Sequence, residues 1–506
     1  MKLDIFSILR RAARHHPDKV ALVDGDLRFT YSQVLDRTRG LARYLASQGI
    51  RPGDRVSIID DNSHVFFESY FAAAALGAIL NPLNTRLAAP EISAILSDSG
   101  SRFLIAGQRF TDLLKASPQE VLHTGEPYEQ AIDSCAGDFQ PAPTKEDDVA
   151  QLYYTSGTTG RPKGVMLTHK NVCLHAQAAI EELDLCGSDV WGHIAPMFHL
   201  ADAWAAFAIT LVGGCHIMVR RFDPEVVMRT IERERVTISN LIPTMLNLMT
   251  KHERVSDFDF SSLRVLLSGG APIAPEVVRS TMQAFGCDYI QTYGMTETSP
   301  YLTVSILKKH LQSLPPDEQL VFKAKTGRPF KAVDLKVVDE KGAEVAPDEK
   351  QVGEIRVKGE TVTPGYWNNP EETRAAFEDG WLCTGDLAVM DSEGYINIVD
   401  RKKDMIVTGG ENVYSTEVEN VLYLHPAVLE AAVFGVPDEK WGEAVRAAVV
   451  LKPGRAASPD EIIAFCRENL AAYKTPKQVD FIDELPKTGS GKISKKSLRE
   501  SCRGIE

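Results

Sequence analysis

The 506-residue chain has no long apolar run, no paired cysteines and no excess of positive charge, and each absence removes a class of function. Its most apolar stretch, VFFESYFAAAALGAIL from Val65 to Leu80, is sixteen residues long and carries Glu68. That is too short and too charged for a membrane span, and it predicts a buried helix instead. The opening MKLDIFSILRRAARHHPD lacks the apolar core of a secretory signal, and the closing RGIE matches no targeting tag, so a cytoplasmic protein with no integral membrane segment is expected. The eight cysteines (Cys135, Cys173, Cys186, Cys215, Cys287, Cys383, Cys466 and Cys502) stand singly, with neither a C-x-x-C pair nor Cys/His spacing suited to a metal. They are read as reduced, mostly buried thiols. A formal net charge of −13 argues against broad electrostatic binding of nucleic acid or of an anionic membrane. Any anionic ligand therefore has to meet cations placed locally.

What remains is an ordinary globular composition, 44% hydrophobic and 25% charged, long enough for two or three cores of about 150 residues each. The first half alternates short β-branched runs, such as RVSIID (Arg55 to Asp60), with helical patterns, which points to parallel α/β units. From Lys323 onward DLKVVD, GEIRVKG and GYINIVD, each bounded by turn residues, read as a compact β-rich unit. Beyond Asp400 come the crowded charges DRKKD, the pair Gly409 and Gly410, and helices such as SPDEIIAFCRENL, where Ser458 caps and Glu461 completes a capping box. A boundary near residue 400 is expected.

The segment YTSGTTGRPKG, Tyr154 to Gly164, combines backbone freedom with a row of hydroxyls and ends in Arg161 and Lys163. Apolar LYY precedes it and a helical pattern follows from about Thr168. Strand, glycine-rich turn, helix is an arrangement in which backbone N–H groups converge on a phosphate. A Walker A loop needs G-x-x-x-x-G-K-[ST], which Gly157 to Gly164 does not supply, and a plain surface turn also satisfies the composition. In LLSGGAPIAPE, Gly269, Gly270 and Ala271 allow backbone to lie against a ring. QTYGMTE offers Tyr293 as an aromatic face, Thr296 as a hydroxyl for phosphate and Glu297 as a carboxylate for magnesium. Asp386 of WLCTGD can bridge two ribose hydroxyls, with Arg401 of DRKKD beside it, and Lys492 lies in the polar loop LPKTGSGKISK. Singly, each has an ordinary explanation: a core tyrosine, a solvated acid or a basic tail.

Taken in order, YTSGTTGRPKG, YGMTE, TGD, DRKKD with GGENVYSTEVE, and PKTGSGK resemble the adenylate-forming superfamily, which contains acyl- and aryl-CoA synthetases, firefly luciferase and the adenylation domains of peptide synthetases. The likeness runs from about residue 20 to residue 492. It implies an α/β fold: a large, multi-subdomain N-terminal α/β domain (1–400, AMP-binding) and a small, mobile α+β C-terminal domain (401–506) that rotates between two half-reactions. In the first, a carboxylate attacks the α-phosphate of MgATP and pyrophosphate leaves; in the second, the CoA thiol displaces AMP. ATP, Mg2+ and coenzyme A are thus the implied cofactors, and a small carboxylic acid the implied substrate.

Carried over residue by residue, the resemblance gives Thr155, Ser156, Gly157, Thr158, Thr159 and Lys163 the β- and γ-phosphates. Tyr293 lies against the adenine, edged by Gly270 and Ala271; Thr296 touches the α-phosphate, Glu297 holds the magnesium, and Asp386 and Arg401 take the ribose. Lys492, bridging carboxylate and α-phosphate, is the catalytic residue, with Thr296 and His199 in support, and Lys403 falls at the hinge. In APMFHLADAW the resemblance places Phe198 and His199 at the wall of the acid pocket, with Asp202, Gly269, Thr292 and Met295 completing it. Amino-acid-activating relatives carry an Asp directly after the Phe to hold the α-amine. This chain has His199 there, so an unaminated acid, fatty or aromatic, is expected, although Asp202 three residues on weighs against it. Gly409, Gly410 and Glu411 are expected to line the CoA arm, and Lys487, Lys492, Lys495, Lys496 and Arg499 are candidates for its nucleotide. An acid:CoA ligase is the reading. The alternatives are an enzyme loading a separate carrier protein, a luciferase-like monooxygenase and a non-catalytic nucleotide binder. Homodimer and monomer both fit.

Overall fold

A computed structural model describes residues 3–115, 119–135, 137–156, 162–270, 273, 275–438, 440–487 and 493–503. Among these residues a nine-stranded sheet starts at the edge strand Leu27–Thr30 and continues through Val20–Asp24, Cys215–Met218, Val190–His193, Ile238–Asn240, Val265–Gly269 and Asp288–Gly294 to Tyr301–Val304 and Arg328–Pro329. Its centre is parallel and its two ends antiparallel. A six-stranded sheet, mostly parallel, runs from Glu120–His123 through Ser101–Ala106, Arg55–Ile59, Ile79–Pro82 and Val149–Ser156 to Pro162–Thr168. Parallel strands need helical crossovers, which cover the faces of both sheets and make the first part of the chain α/β.

The apolar stretch at 65–80 divides. Residues His64–Ala75 form a helix buried on every side, capped by Ser63 Oγ on the Phe66 N–H, and Gly77 at φ +65° turns the chain into the strand Ile79–Pro82. A single helix over the whole run is therefore corrected: the left-handed turn that glycine tolerates ends it. Glu68 is fully buried inside this helix and is paired with Arg37, which also binds Glu129.

The β-rich unit expected beyond Lys323 is an antiparallel sheet of Asp334–Val338, Gly353–Lys358, Trp381–Met390, Phe377–Glu378 and Ile396–Arg401. The smaller C-terminal domain has its own sheet, Glu411–Val413, Ile406–Thr408, Gly442–Leu451, Val428–Asp438 and Gln478–Phe481, with a separate core around Ile406, Val418, Val433 and Ile462. The boundary expected after residue 400 falls one residue short of the end of the strand Ile396–Arg401. The capping box of Ser458 and Glu461 forms at the start of the helix Pro459–Asn469. Asp400 ties the two parts together, since its carboxylate accepts the N–H of Ser415, at the start of the helix Ser415–Leu424, at 2.6 Å.

All eight cysteines are free thiols, but only Cys173, Cys287 and Cys466 are buried, and Cys186 is exposed. The expectation of mostly buried thiols fails: Cys135 caps a helix end, Cys186 lies in a loop, and Cys215, Cys383 and Cys502 sit in strands or a helix but remain partly exposed. Among the described residues no helix is long and apolar enough to cross a membrane.

Candidate active site

The strands Val149–Ser156 and Pro162–Thr168 pair antiparallel, Thr155 opposite Lys163 and Ser156 opposite Pro162. The helix His169–Glu182 starts only after the second strand, capped by Thr168. The expected order of strand, turn and helix is thus corrected: PKGVMLT extends as a strand, so Thr155, Ser156 and Lys163 lie on a strand pair and not at the N-terminus of the helix that follows. Gly157, Thr158 and Thr159 lie outside the described residues, as do Ala271 and Lys492.

Residues 363–367 run alongside the second strand: Met166 N–H donates to Gly365 O at 3.1 Å, Trp367 N–H to Gly164 O at 2.7 Å, and Thr363 Oγ1 to Met166 O at 2.6 Å. This docking delivers Tyr366 to the site. Its hydroxyl donates to Glu297 Oε1 at 2.9 Å, and its ring lies 5.3 Å from Lys163 Nζ, which is itself paired with Glu372. Glu297 is buried on the short 3-10 turn Thr296–Thr298. Burial pushes its carboxyl above the ordinary range, against the pull of the Tyr366 hydroxyl and of the Lys163 and Arg401 charges.

A second buried carboxylate is held across neighbouring strands. Asp386 faces Arg401 in register, forms an ion pair with Arg401 Nε at 3.1 Å and accepts from Tyr293 Oη at 2.7 Å. Arg401 remains half-exposed, and burial with the adjacent Asp386 holds the Tyr293 phenol well above its usual range. Tyr293, Thr296, Glu297, Asp386, Arg401 and Lys163 are thereby gathered from five separate segments. Gly269 and Gly270 flank this group; a Cβ on Gly269 would lie 2.5 Å from Thr292 Oγ1, so only glycine fits there.

Of the acid-pocket candidates, Phe198 is buried, and His199, at the N-terminus of the helix Leu200–Val212, is partly exposed, with the two rings 5.7 Å apart. Asp202 is corrected. It is fully buried, one oxygen accepting Trp191 Nε1 at 3.2 Å and the other bonded to His193 Nδ1 at 2.6 Å, so its carboxylate is spent inside the core. One turn of helix past His199 puts it on the inner face, a position that spacing within the motif does not reveal.

In the C-terminal domain Gly409 and Gly410 both have positive φ and Glu411 is exposed. Gly409 lies under the exposed ring of Trp441, where a Cβ would meet the ring at 2.9 Å, and its N–H donates to Trp441 O. Among the cations considered for a nucleotide, Lys495 pairs with Glu419, Arg499 with Asp404 and Lys487 with Glu430, while Lys496 stays largely solvated. Burial and the neighbouring Arg401 charge lower the Lys403 ammonium below its usual range. Sequence reasoning missed Tyr366, Glu372 and Trp441. The one signal for Tyr366 and Trp441 was the small, turn-rich composition around them, TPGYW and DEKWGE.

Known proteins resemble this chain over most of its length. The model of the AMP-binding enzyme family matches residues 9–367, and that of the AMP-binding enzyme C-terminal domain matches residues 417–492. A feruloyl-CoA synthase from Amycolatopsis sp is 40% identical over 97% of each chain. The long-chain-fatty-acid–CoA ligase FadD13 of Mycobacterium tuberculosis is 36% identical over 97% of each chain. The crystal structure of the anthranilate CoA ligase AuaEII in complex with anthranoyl-AMP is 29% identical and superimposes with a TM-score of 0.91 over the whole of both chains. The chain belongs to the AMP-binding enzyme family, among the acyl-CoA synthetases that form AMP.

Proposed function

We propose that this enzyme joins an unaminated, fairly apolar carboxylic acid, aromatic or fatty, to coenzyme A. The acid's carboxylate oxygen attacks the α-phosphate of ATP, the bond to the β-phosphate breaks, and pyrophosphate leaves. The CoA thiolate then adds to the acyl carbon of the acyl-adenylate and expels AMP. Catalysis of the first step consists of placing the reactants in line and neutralising charge. Thr155, Ser156 and Lys163 of the strand pair, together with Gly157, Thr158 and Thr159 outside the described residues, take the departing phosphates; Asp386 and Arg401 hold the ribose, and Tyr293 backs the base. Lys492, outside the described residues, supplies the positive charge between carboxylate and α-phosphate. Buried carboxylates are normally paired or hold metals. Among the described residues Glu297 has a neutral hydroxyl as its side-chain partner and no salt bridge. That suits Mg2+, which binds through one or two carboxylates plus substrate phosphates and would neutralise charge on them.

The observation that carries the acid class is the burial of Asp202 against Trp191 and His193: it leaves the wall at Phe198–His199 without that carboxylate to hold an α-amine. The relatives that act on feruloyl, anthraniloyl and long-chain fatty groups support the same reading. A panel of hydroxycinnamic, benzoic and fatty acids, followed by pyrophosphate release with and without CoA and by product mass, tests it. Acyl-CoA from an aromatic or fatty acid is the expected product; turnover of amino acids alone, or acyl transfer only to a carrier protein, would overturn it. Free thiols accord with a cytoplasmic setting.

Residues 1–400 and 401–506 are proposed to rotate about Lys403 between the two steps. Lys403→Pro fixes φ at the pivot, so it should leave acyl-adenylate formation near wild type while reducing thioester formation by at least about 10²-fold, as misplacement of a reacting group does. Single-turnover assays of each half-reaction decide this, and equal losses in both would refute the pivot.

A further inference from the structure

Residues 193–197 lead directly into Phe198 and His199, yet they form little regular structure of their own and their backbone is held mostly by side chains from elsewhere. Asn62 Nδ2 donates to His193 O and to Ala195 O, both at 2.9 Å, and Asn62 Oδ1 accepts the Met197 N–H at 2.8 Å. All three hydrogen-bonding positions of this buried amide used here therefore go to one segment. Tyr70 Oη donates to Met197 O at 2.7 Å and lies 2.8 Å from Tyr153 Oη. A phenol has one proton, so with Tyr70 donating to Met197 it is Tyr153 that donates to Tyr70. Tyr153 belongs to the strand Val149–Ser156, two residues before the phosphate-binding candidate Thr155. Tyr70 also packs edge-on to Phe207 of the helix that follows His199, with the ring centroids 5.4 Å apart. Asn62, Tyr70 and Tyr153 are all nearly inaccessible.

We propose that Asn62, Tyr70 and Tyr153 are positioning residues that set the acid wall at Phe198–His199 in register with the phosphate-binding strand pair. The inference rests on the ligase reading above. In-line attack requires the carboxylate and the α-phosphate to meet within a fraction of an ångström, but the two binding walls come from different sheets. The chain Tyr153–Tyr70–Met197 joins the walls through two hydroxyl hydrogen bonds, and Asn62 prevents the segment from sliding along its own length. None of the three side chains needs to touch a substrate to do this.

The test compares the wild type with Asn62→Ala, Tyr70→Phe, Tyr153→Phe and the double phenylalanine variant in ATP–pyrophosphate exchange, using the best acid from the panel. KM for acid, KM for ATP, kcat and melting temperature are read separately. Asn62→Ala is expected to lower kcat/KM for the acid by about ten- to a hundredfold, the scale of an ångström of misplacement, with KM for ATP unchanged. Each Tyr→Phe change keeps its ring packed and should raise the acid KM by a smaller factor. The double variant should lose no more than the worse single one, because both remove the same chain. Thioester formation from supplied acyl-adenylate and CoA should be unaffected. A lower melting temperature with unaltered acid KM and kcat, or equal rises in KM for acid and ATP, would overturn the proposal. Should Asn62→Ala not fold, the two tyrosine variants decide it alone. Wild-type enzyme inactive with every acid would refute the ligase reading, whereas an active wild type with indifferent variants would refute this one.

Discussion

Replacing Lys492 with alanine is expected to slow ATP–pyrophosphate exchange about 10²- to 10³-fold, the cost of losing one preorganised donor where charge develops. Thioester formation from supplied acyl-adenylate should change little, because by then the α-phosphate bond to pyrophosphate is already broken. The asymmetry follows from where negative charge accumulates: an incoming carboxylate and a five-coordinate phosphorus repel each other unless a cation lies between them. Lys492→Arg should restore little, since a guanidinium is planar and wider than an ammonium and prefers bidentate partners. Pre-steady-state measurement of both half-reactions checks the prediction. Equal losses in the two would show that Lys492 serves folding or domain docking rather than the first step.

The second large effect is expected at Glu297. Glu297→Gln keeps the shape and leaves the Tyr366 hydroxyl an acceptor, so the fold has no reason to change. It removes the charge proposed to hold the metal, and a Lewis-acid contribution of several kcal/mol corresponds to a loss of about 10²-fold or more in exchange. The Mg2+ concentration giving half-maximal rate should rise as well. The melting temperature measured without nucleotide should stay level or increase, because a buried carboxylate without a cationic partner is costly to keep ionised. Tyr366→Phe should shift activity in the same direction by a smaller factor. Full activity of Glu297→Gln at limiting Mg2+ would sink the metal assignment, and a marked drop in melting temperature would show that the carboxylate is instead a structural brace.

The features legible in the sequence were those that backbone chemistry fixes locally. Ser458 and Glu461 cap a helix, and the alternating runs after Lys323 make antiparallel strands. Each depends on residues a few positions apart. The order of the site motifs was legible for a related reason, since each motif carries its own polar group and the fold had only to bring the groups together. Where local reasoning went astray, a short pattern had two geometric outcomes. PKGVMLT extends as a strand, so the helix His169–Glu182 begins only after it and not directly after the glycine-rich segment. Asp202, three positions past His199, turns into the core because a helix rotates the side chain away from the pocket wall.

The sequence by itself supplied the chemical groups, hydroxyls and Lys163 on a glycine-rich segment, carboxylates at Glu297 and Asp386, and a lysine near the C-terminus, in an order that resembles the adenylate-forming enzymes. Only the tertiary structure decided which groups hold one another. Tyr366 reaches Glu297 across 69 positions, Tyr293 reaches Asp386 across 93, and Asn62 grips Met197 across 135. The partner of a buried polar group is chosen by sheet order and by the need to satisfy every hydrogen bond away from water, and neither is written in the spacing of neighbouring residues.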